Sequence, residues 1–170
     1  MLDKRKFYIN GKWVSPSKSN DYDVINPSTE EAFATISLGS KDDTNSAVRA
    51  AKQALVTWSE SSKEERINLL EKLLDIYKKR YSEMVEAISM EMGAPMSWSR
   101  DSQTSSGQSH LEDFIVRLKE FKFDEQFSPG SNNRICYEPI GVCGLITPWN
   151  WPINQIALKV VPGFATGCTM

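Results

Sequence analysis

A chain of 170 residues with 40% hydrophobic and 25% charged side chains has the balance of a globular protein, with room for one ordinary domain or a piece of a larger one. Its formal charge of −2 supplies no basic field for nucleic acid or anionic lipid, and no apolar run reaches the length that crosses a bilayer. The opening Met1–Lys6 lacks the apolar core of a secretory signal, so the expectation is a cytoplasmic protein with neither nucleic acid nor membrane as a partner.

Residues 1 to about 39 carry strand and turn signals. Phe7-Tyr8-Ile9 and Lys12-Trp13-Val14 flank Asn10-Gly11, a pair that suits a type I′ hairpin because both residues tolerate positive φ. After a Ser-, Pro- and Asn-rich loop, Tyr22–Ile25 runs into the turn Asn26-Pro27-Ser28-Thr29 and then the apolar Ala32–Ile36. These strands read as the edge of a larger body.

Residues of about 40 to 122 read as helices. Ser40 with Asp43, and Ser62 with Glu65, have capping-box spacing. Ala47, Ala51, Ala54, Leu55 and Trp58 recur at helical spacing after the first, and Ile67, Leu70, Leu74 and Tyr77 after the second. A third helix with Met84, Ala87 and Ile88 stops at Gly93, with Pro95 beyond. The polar stretch Ser97–Ser109 has no clear period and reads as helix or loop; Leu111, Phe114, Ile115 and Leu118 form a fourth helical pattern that ends near Lys122. His110, the only histidine, offers too little for a multi-histidine metal site or a Ser-His triad, and is expected to be an ordinary helix residue.

From about 123 the character changes. Ser128–Asn133 is a turn and Arg134–Glu138 a strand; Ile140–Ile146 is a short continuous apolar run, as in a parallel-sheet strand buried on both faces. Thr147-Pro148-Trp149-Asn150-Trp151-Pro152 interrupts it, Asn154–Phe164 fits a helix despite Pro162, and Cys168-Thr169-Met170 looks like a second strand beginning. Strand, crossover helix and strand are the opening of a doubly wound sheet. One such strand cannot stand alone, so the pattern predicts an incomplete chain. Cys136, Cys143 and Cys168 form no Cys-x-x-Cys pair and are expected to be buried, inert thiols, with no metal site.

The chemistry concentrates after the apolar run, where open α/β sheets place ligands at the carboxyl ends of strands. Two tryptophans and two prolines hold Asn150 in a stiff elbow, a suitable donor to an oxygen gaining negative charge. An Asn that merely satisfies its turn is the plainer alternative. Gly141 and Gly144 form Gly-x-x-Gly at the start of the strand, so the Gly-x-Gly-x-x-Gly fingerprint gives no sign of a dinucleotide.

Glu138–Pro152, with Pro148-Trp149-Asn150-Trp151-Pro152 at its end, closely resembles a specific segment of the aldehyde dehydrogenase superfamily. Tyr8–Trp13 resembles the family's opening hairpin, Asn26–Thr29 its next turn, Met92–Pro95 its third-helix exit, and Lys159–Gly167 the helix that closes the first β-α unit. The resemblance implies an α/β fold divided as follows: 1–122 would hold the N-terminal strands and helices of the cofactor-binding domain. Residues 123–139 would hold a strand like that of the oligomerisation hairpin, and 140–170 the first strand and helix of a truncated Rossmann-like sheet.

It also implies NAD- or NADP-dependent oxidation of an aldehyde to a carboxylic acid through a cysteine thiohemiacetal. Asn150 would donate to the thiohemiacetal oxygen, and Lys159 would stand near the active site, as a proton-relay member or a solvated helix lysine. Ile146, Thr147, Pro148 and Trp149 would line the cofactor. Trp151 would border the aldehyde tunnel or simply pack in the core. A small aldehyde and a homo-oligomeric state, dimer or tetramer, are the implied partners.

None of the three cysteines matches the position of the family's nucleophile, the general-base glutamate motif is absent, and the chain ends before the second-strand lysine that holds the adenosine ribose. Alone it is expected to be inactive. The alternative reading is a non-catalytic piece that binds dehydrogenase subunits.

Overall fold

In the computed structural model, which describes all 170 residues, Asn10 and Gly11 take φ of 52° and 72°. They close the hairpin of β2 (Phe7–Ile9) and β3 (Lys12–Val14), which pairs Phe7 with Val14 and Tyr8 with Trp13. The Tyr8 and Trp13 rings lie 5.2 Å apart across the strands. β4 (Asp21–Asn26) and β5 (Glu31–Ser37) are antiparallel, with a bulge between Val24 and Ile25. In their turn the Asn26 side chain accepts from Ser28 N–H at 2.9 Å. Among these N-terminal strands one escaped the sequence: β1 (Leu2–Asp3) pairs in parallel with β5, giving the order β1-β5-β4. Two residues carry too little pattern to be read in advance.

Both capping boxes form, at the starts of α1 (Lys41–Trp58) and α2 (Lys63–Lys79). At the first, Asp43 accepts from Ser40 N–H at 2.9 Å, Ser40 Oγ at 2.8 Å and Ser17 N–H at 2.8 Å. These bonds, led by the Ser40 N–H, lower the Asp43 carboxyl from its ordinary 3.8 to about 2. A carboxyl depressed on folding stabilises the native state above its unfolded pKa, and that contribution disappears as pH falls through the folded value. Asp43→Asn should therefore lower the thermal midpoint at neutral pH. The gap from the wild type should close between about pH 4 and about pH 2. Melts across that range check it, and a constant gap would show that the charge contributes nothing.

Arg66 of α2 is buried and turns back to the end of α1, donating from Nη2 to Ser59 O and from Nε to Ser61 Oγ, each at 2.9 Å. α3 (Tyr81–Met92) ends on Gly93 at φ 73°. The ambiguous polar stretch is helical throughout: α4 (Met96–Trp98), a wider π turn over Ser99–Thr104, then α5 (Ser105–Glu120). A π turn takes carbonyls out of the α register, and two tyrosine hydroxyls reach them. Tyr77 donates to Thr104 O at 2.7 Å and Tyr81 to Arg100 O. Burial pushes the Tyr77 hydroxyl pKa well up. An apolar period cannot announce a segment whose contacts are polar and whose turns are uneven.

β6 (Asp124–Gln126) and β7 (Arg134–Cys136) form an antiparallel hairpin, fastened by Arg134 Nε to Asp124 Oδ1 at 2.6 Å. α6 (Pro152–Ala165) follows, with Pro152 in its first turn, where no N–H partner is lost, and Pro162 inside its last turn, where it removes the hydrogen bond that an N–H would give to the carbonyl four residues back. The core lies where α6 packs on α5 and α2: Ile67, Leu70, Leu111, Ile115, Leu118, Ala157, Val161 and Ala165. Gly167 turns the chain out of the helix at φ 81°, and a Cβ there would come within 2.6 Å of Arg66 Nη2.

Two expectations need correction. Ile140–Ile146 is not a strand buried on both faces: only Val142 pairs, in parallel with Thr169, and Ile140 and Ile146 are 89% and 87% exposed. An apolar run becomes a buried strand only where neighbours flank it, and here one bridge is formed. Of the three thiols only Cys168 is buried; Cys136 is exposed on β7 and Cys143 half-buried. No helix is long and apolar enough to cross a membrane.

Candidate active site

The bridge between Val142 and Thr169 is closed by Cys143 N–H to Thr169 O at 2.7 Å and Thr169 N–H to Gly141 O at 3.2 Å. Thr169 Oγ1 donates to Ala51 O at 2.8 Å, which ties this β-α-β unit to α1. Beyond the bridge the backbone of residues 144–150 makes no hydrogen bond within the chain. The ribbon is open to solvent, with Ile146 87% and Trp149 81% exposed.

At its end stands Asn150, exposed, its side chain without a protein partner. The next residue, Trp151, caps α6 at φ −141° and ψ 66° and supplies no side-chain hydrogen bond to the helix. Unpaired N–H groups at a helix start carry partial positive charge, which favours an anion nearby. The Asn150 side chain makes no hydrogen bond to its own turn.

The predicted site residues fall into two groups. Ile146, Thr147, Pro148, Trp149 and Asn150 form one continuous exposed ribbon ahead of α6. Trp151 is half-buried and packs edge to face on Trp98 of α4, rings 5.4 Å apart at 76°. Lys159 makes no hydrogen bond to the ribbon. Its ammonium donates to Gln155 Oε1 at 2.8 Å and Gln155 O at 3.3 Å, about two helical turns below the cap.

Two neighbours were missed. Trp98 lies in the stretch without a period, so nothing pointed to it. His110 is half-buried, its Nε2 3.1 Å from Asn154 Nδ2 in the first turn of α6. The signal for His110 was present: it follows Gly107 by three positions and adjoins Leu111, on the α5 face that meets α6. At Gly107 a Cβ would come within 2.9 Å of Ile153 of α6.

Cys168 is buried, and hydrogen bonds from Thr166 and the backbone near Gly141 outweigh that burial and draw its thiol down; burial pushes the half-buried Cys143 thiol up, and local desolvation with Asp124 beside it does the same for the exposed Cys136. No group of three or more His, Cys, Asp or Glu is placed to hold a metal ion.

The family model described as "Aldehyde dehydrogenase family" matches residues 13–170. The chain belongs to the aldehyde dehydrogenase family. It is 44% identical, over 100% of its length and 35% of the relative's, to a 3-succinoylsemialdehyde-pyridine dehydrogenase of a Pseudomonas species. Among solved structures it is similar to an aldehyde dehydrogenase of Bartonella henselae, with 54% identity and TM-score 0.98 over 100% of this chain and 36% of that one. A cysteine-to-alanine mutant of aldehyde dehydrogenase C from Pseudomonas syringae, complexed with NAD+ and octanal, gives 40% identity and TM-score 0.93 over 97% and 33%. The chain thus spans about a third of the length of these relatives. Its α/β architecture is that of the N-terminal region of the aldehyde dehydrogenase fold.

Proposed function

We propose that this chain contributes the oxyanion-holding amide and part of the cofactor site to NAD- or NADP-dependent oxidation of an aldehyde to a carboxylic acid. The observation that carries the reading is Asn150: an exposed amide with no partner of its own, at the end of an unpaired ribbon and just before an uncapped helix. That is the disposition of a donor reserved for something outside the protein.

The ribbon fits a dinucleotide. Its unpaired backbone N–H and C=O groups offer polar contacts, the side chains of Ile146, Pro148 and Trp149 offer apolar surface, and the start of α6 favours anionic groups. When bound, such a cofactor accepts hydride from the aldehyde carbon. Residues 146–149 bind and orient it. Asn150 donates to the aldehyde oxygen as it gains negative charge. Being neutral, the amide does this without the desolvation penalty of a cation and without titrating. Trp151, steadied by Trp98, forms an aromatic wall beside it. Lys159, tied to Gln155, takes a supporting role as positive charge farther along α6. The β6–β7 hairpin, without a third strand in this chain, is the surface we assign to subunit contact in a homo-oligomer.

The test joins residues 1–170 to the remaining two thirds of a related aldehyde dehydrogenase that carries the nucleophilic cysteine. The chimera is expected to form NAD(P)H when given an aldehyde, and this chain by itself to form none. A folded chimera that stays inactive while the related enzyme works in the same assay would overturn the reading.

A further inference from the structure

Val142 and Thr169 face each other across the parallel bridge that joins the segment before the ribbon to the one leaving α6. Successive side chains of an extended chain point to opposite faces. Cys143 follows Val142 by one residue and Cys168 precedes Thr169 by one, so both turn to the face opposite the bridged pair. Their sulfurs gather at the same residue. Cys143 Sγ lies 4.0 Å from Gly141 O, while Cys168 Sγ accepts from the Gly141 N–H and stands 3.5 Å from Thr166 Oγ1. The two thiols are also within hydrogen-bonding reach of each other.

Cys168 is buried and Cys143 half-buried, so one thiol of the pair is open to a small reagent and the other is screened. Neither has a part in the aldehyde oxidation. The third thiol, Cys136, is on β7 beside Asp124.

We propose that Cys143 and Cys168 are a modification site, closed to a reversible disulfide by hydrogen peroxide. The Cys143 thiolate attacks the peroxide, the O–O bond breaks, and Cys143 becomes a sulfenic acid while the second oxygen leaves as water. The Cys168 thiolate then attacks that sulfur; the S–S bond forms, the S–O bond breaks, and the hydroxyl departs with a proton as water. Two electrons pass from the pair of sulfurs to one peroxide. Diagonal neighbours across a ladder have Cα atoms roughly 7–8 Å apart, a little beyond the ~4.4–6.8 Å of a relaxed disulfide. The backbone of residues 144–150 makes no hydrogen bond within the chain, so the ribbon side can yield to close that gap. A bond made under such a pull is readily reduced.

The experiment uses this chain with the exposed Cys136 replaced, Cys136→Ser, which leaves only the two thiols in question. After peroxide, the denatured chain is expected to take up no alkylating reagent. Trypsin should release residues 135–159 joined to 160–170, and dithiothreitol should separate them. The bond should form at least about 10-fold faster in the folded chain than in urea, because the fold holds the thiols together. Adding Cys143→Ser or Cys168→Ser should abolish the joined peptides. Four results would overturn the proposal: thiols that both stay open to alkylation, closure no faster than in urea, sulfinic acid at both sulfurs with no link, or a link between two chains instead of within one.

Discussion

Asn150→Ala should lower kcat of the chimera by about 100-fold or more, the usual consequence of removing one oxyanion donor. KM for the cofactor should barely move, because the cofactor contacts proposed for residues 146–149 run through backbone and apolar surface that the substitution leaves in place. Stability should not change either. The Asn150 side chain is exposed and bonded to nothing in the chain, so alanine leaves no buried group unpaired. This separates the role from the packing alternative, in which activity would fall only as far as the folded fraction does. The loss should also be uniform across pH, since a carboxamide does not titrate. Steady-state kinetics with a parallel thermal melt make the measurement; a kcat within a few-fold of the unsubstituted enzyme would remove Asn150 from the mechanism. Asn150→Asp is the informative companion. It keeps the size, removes the donors and puts a negative charge beside the developing one, so it should be at least as harmful as alanine.

What the sequence disclosed was local, and what it withheld depended on neighbours. The Asn10-Gly11 turn, the two Ser-x-x-acid caps and the Gly93 stop are each decided within a few residues, and all are found as expected. The apolar stripes of α2 and α5 likewise identified the core. β1 depends on β5, more than thirty residues away, and two residues cannot signal that. Ile140–Ile146 had the composition of a buried strand, but burial is a property of the assembled sheet, and one bridge leaves most of the run open. The ribbon of the candidate site was legible because prolines and tryptophans are rare and their order specific. Trp98 was not, since what makes it a neighbour of Trp151 is the way α4 meets the start of α6; His110 was read only as a helix residue, although its place on the Gly107–Leu111 face carried the signal for its contact with Asn154.

The second large effect belongs to the scaffold that aims the site. Leu70, 0% exposed in the middle of α2, packs in the cluster shared with Leu111, Ile115 and Leu118 of α5 and Ala157, Val161 and Ala165 of α6. Truncating such a leucine removes its transfer free energy and leaves a cavity that small residues like Ala157 and Ala165 cannot reach across to fill. Leu70→Ala should therefore cost about 3 kcal/mol, a large share of the ~5–15 kcal/mol that holds an ordinary domain together. Leu70→Met, which nearly conserves volume, should cost less than about 1.5 kcal/mol. Urea denaturation of this chain, read from helical circular dichroism, checks both; a loss under about 1 kcal/mol for alanine would mean that the three helices do not share one core. In the chimera the two kinds of substitution should look unlike each other. Leu70→Ala loosens the support of α6 and should reduce the amount of folded enzyme and its midpoint, with kcat per folded molecule much less affected. Asn150→Ala should do the reverse. That contrast follows from the placement of the residues: α6 is held by its buried face, and the site is built at the end of the helix where nothing in the chain holds it.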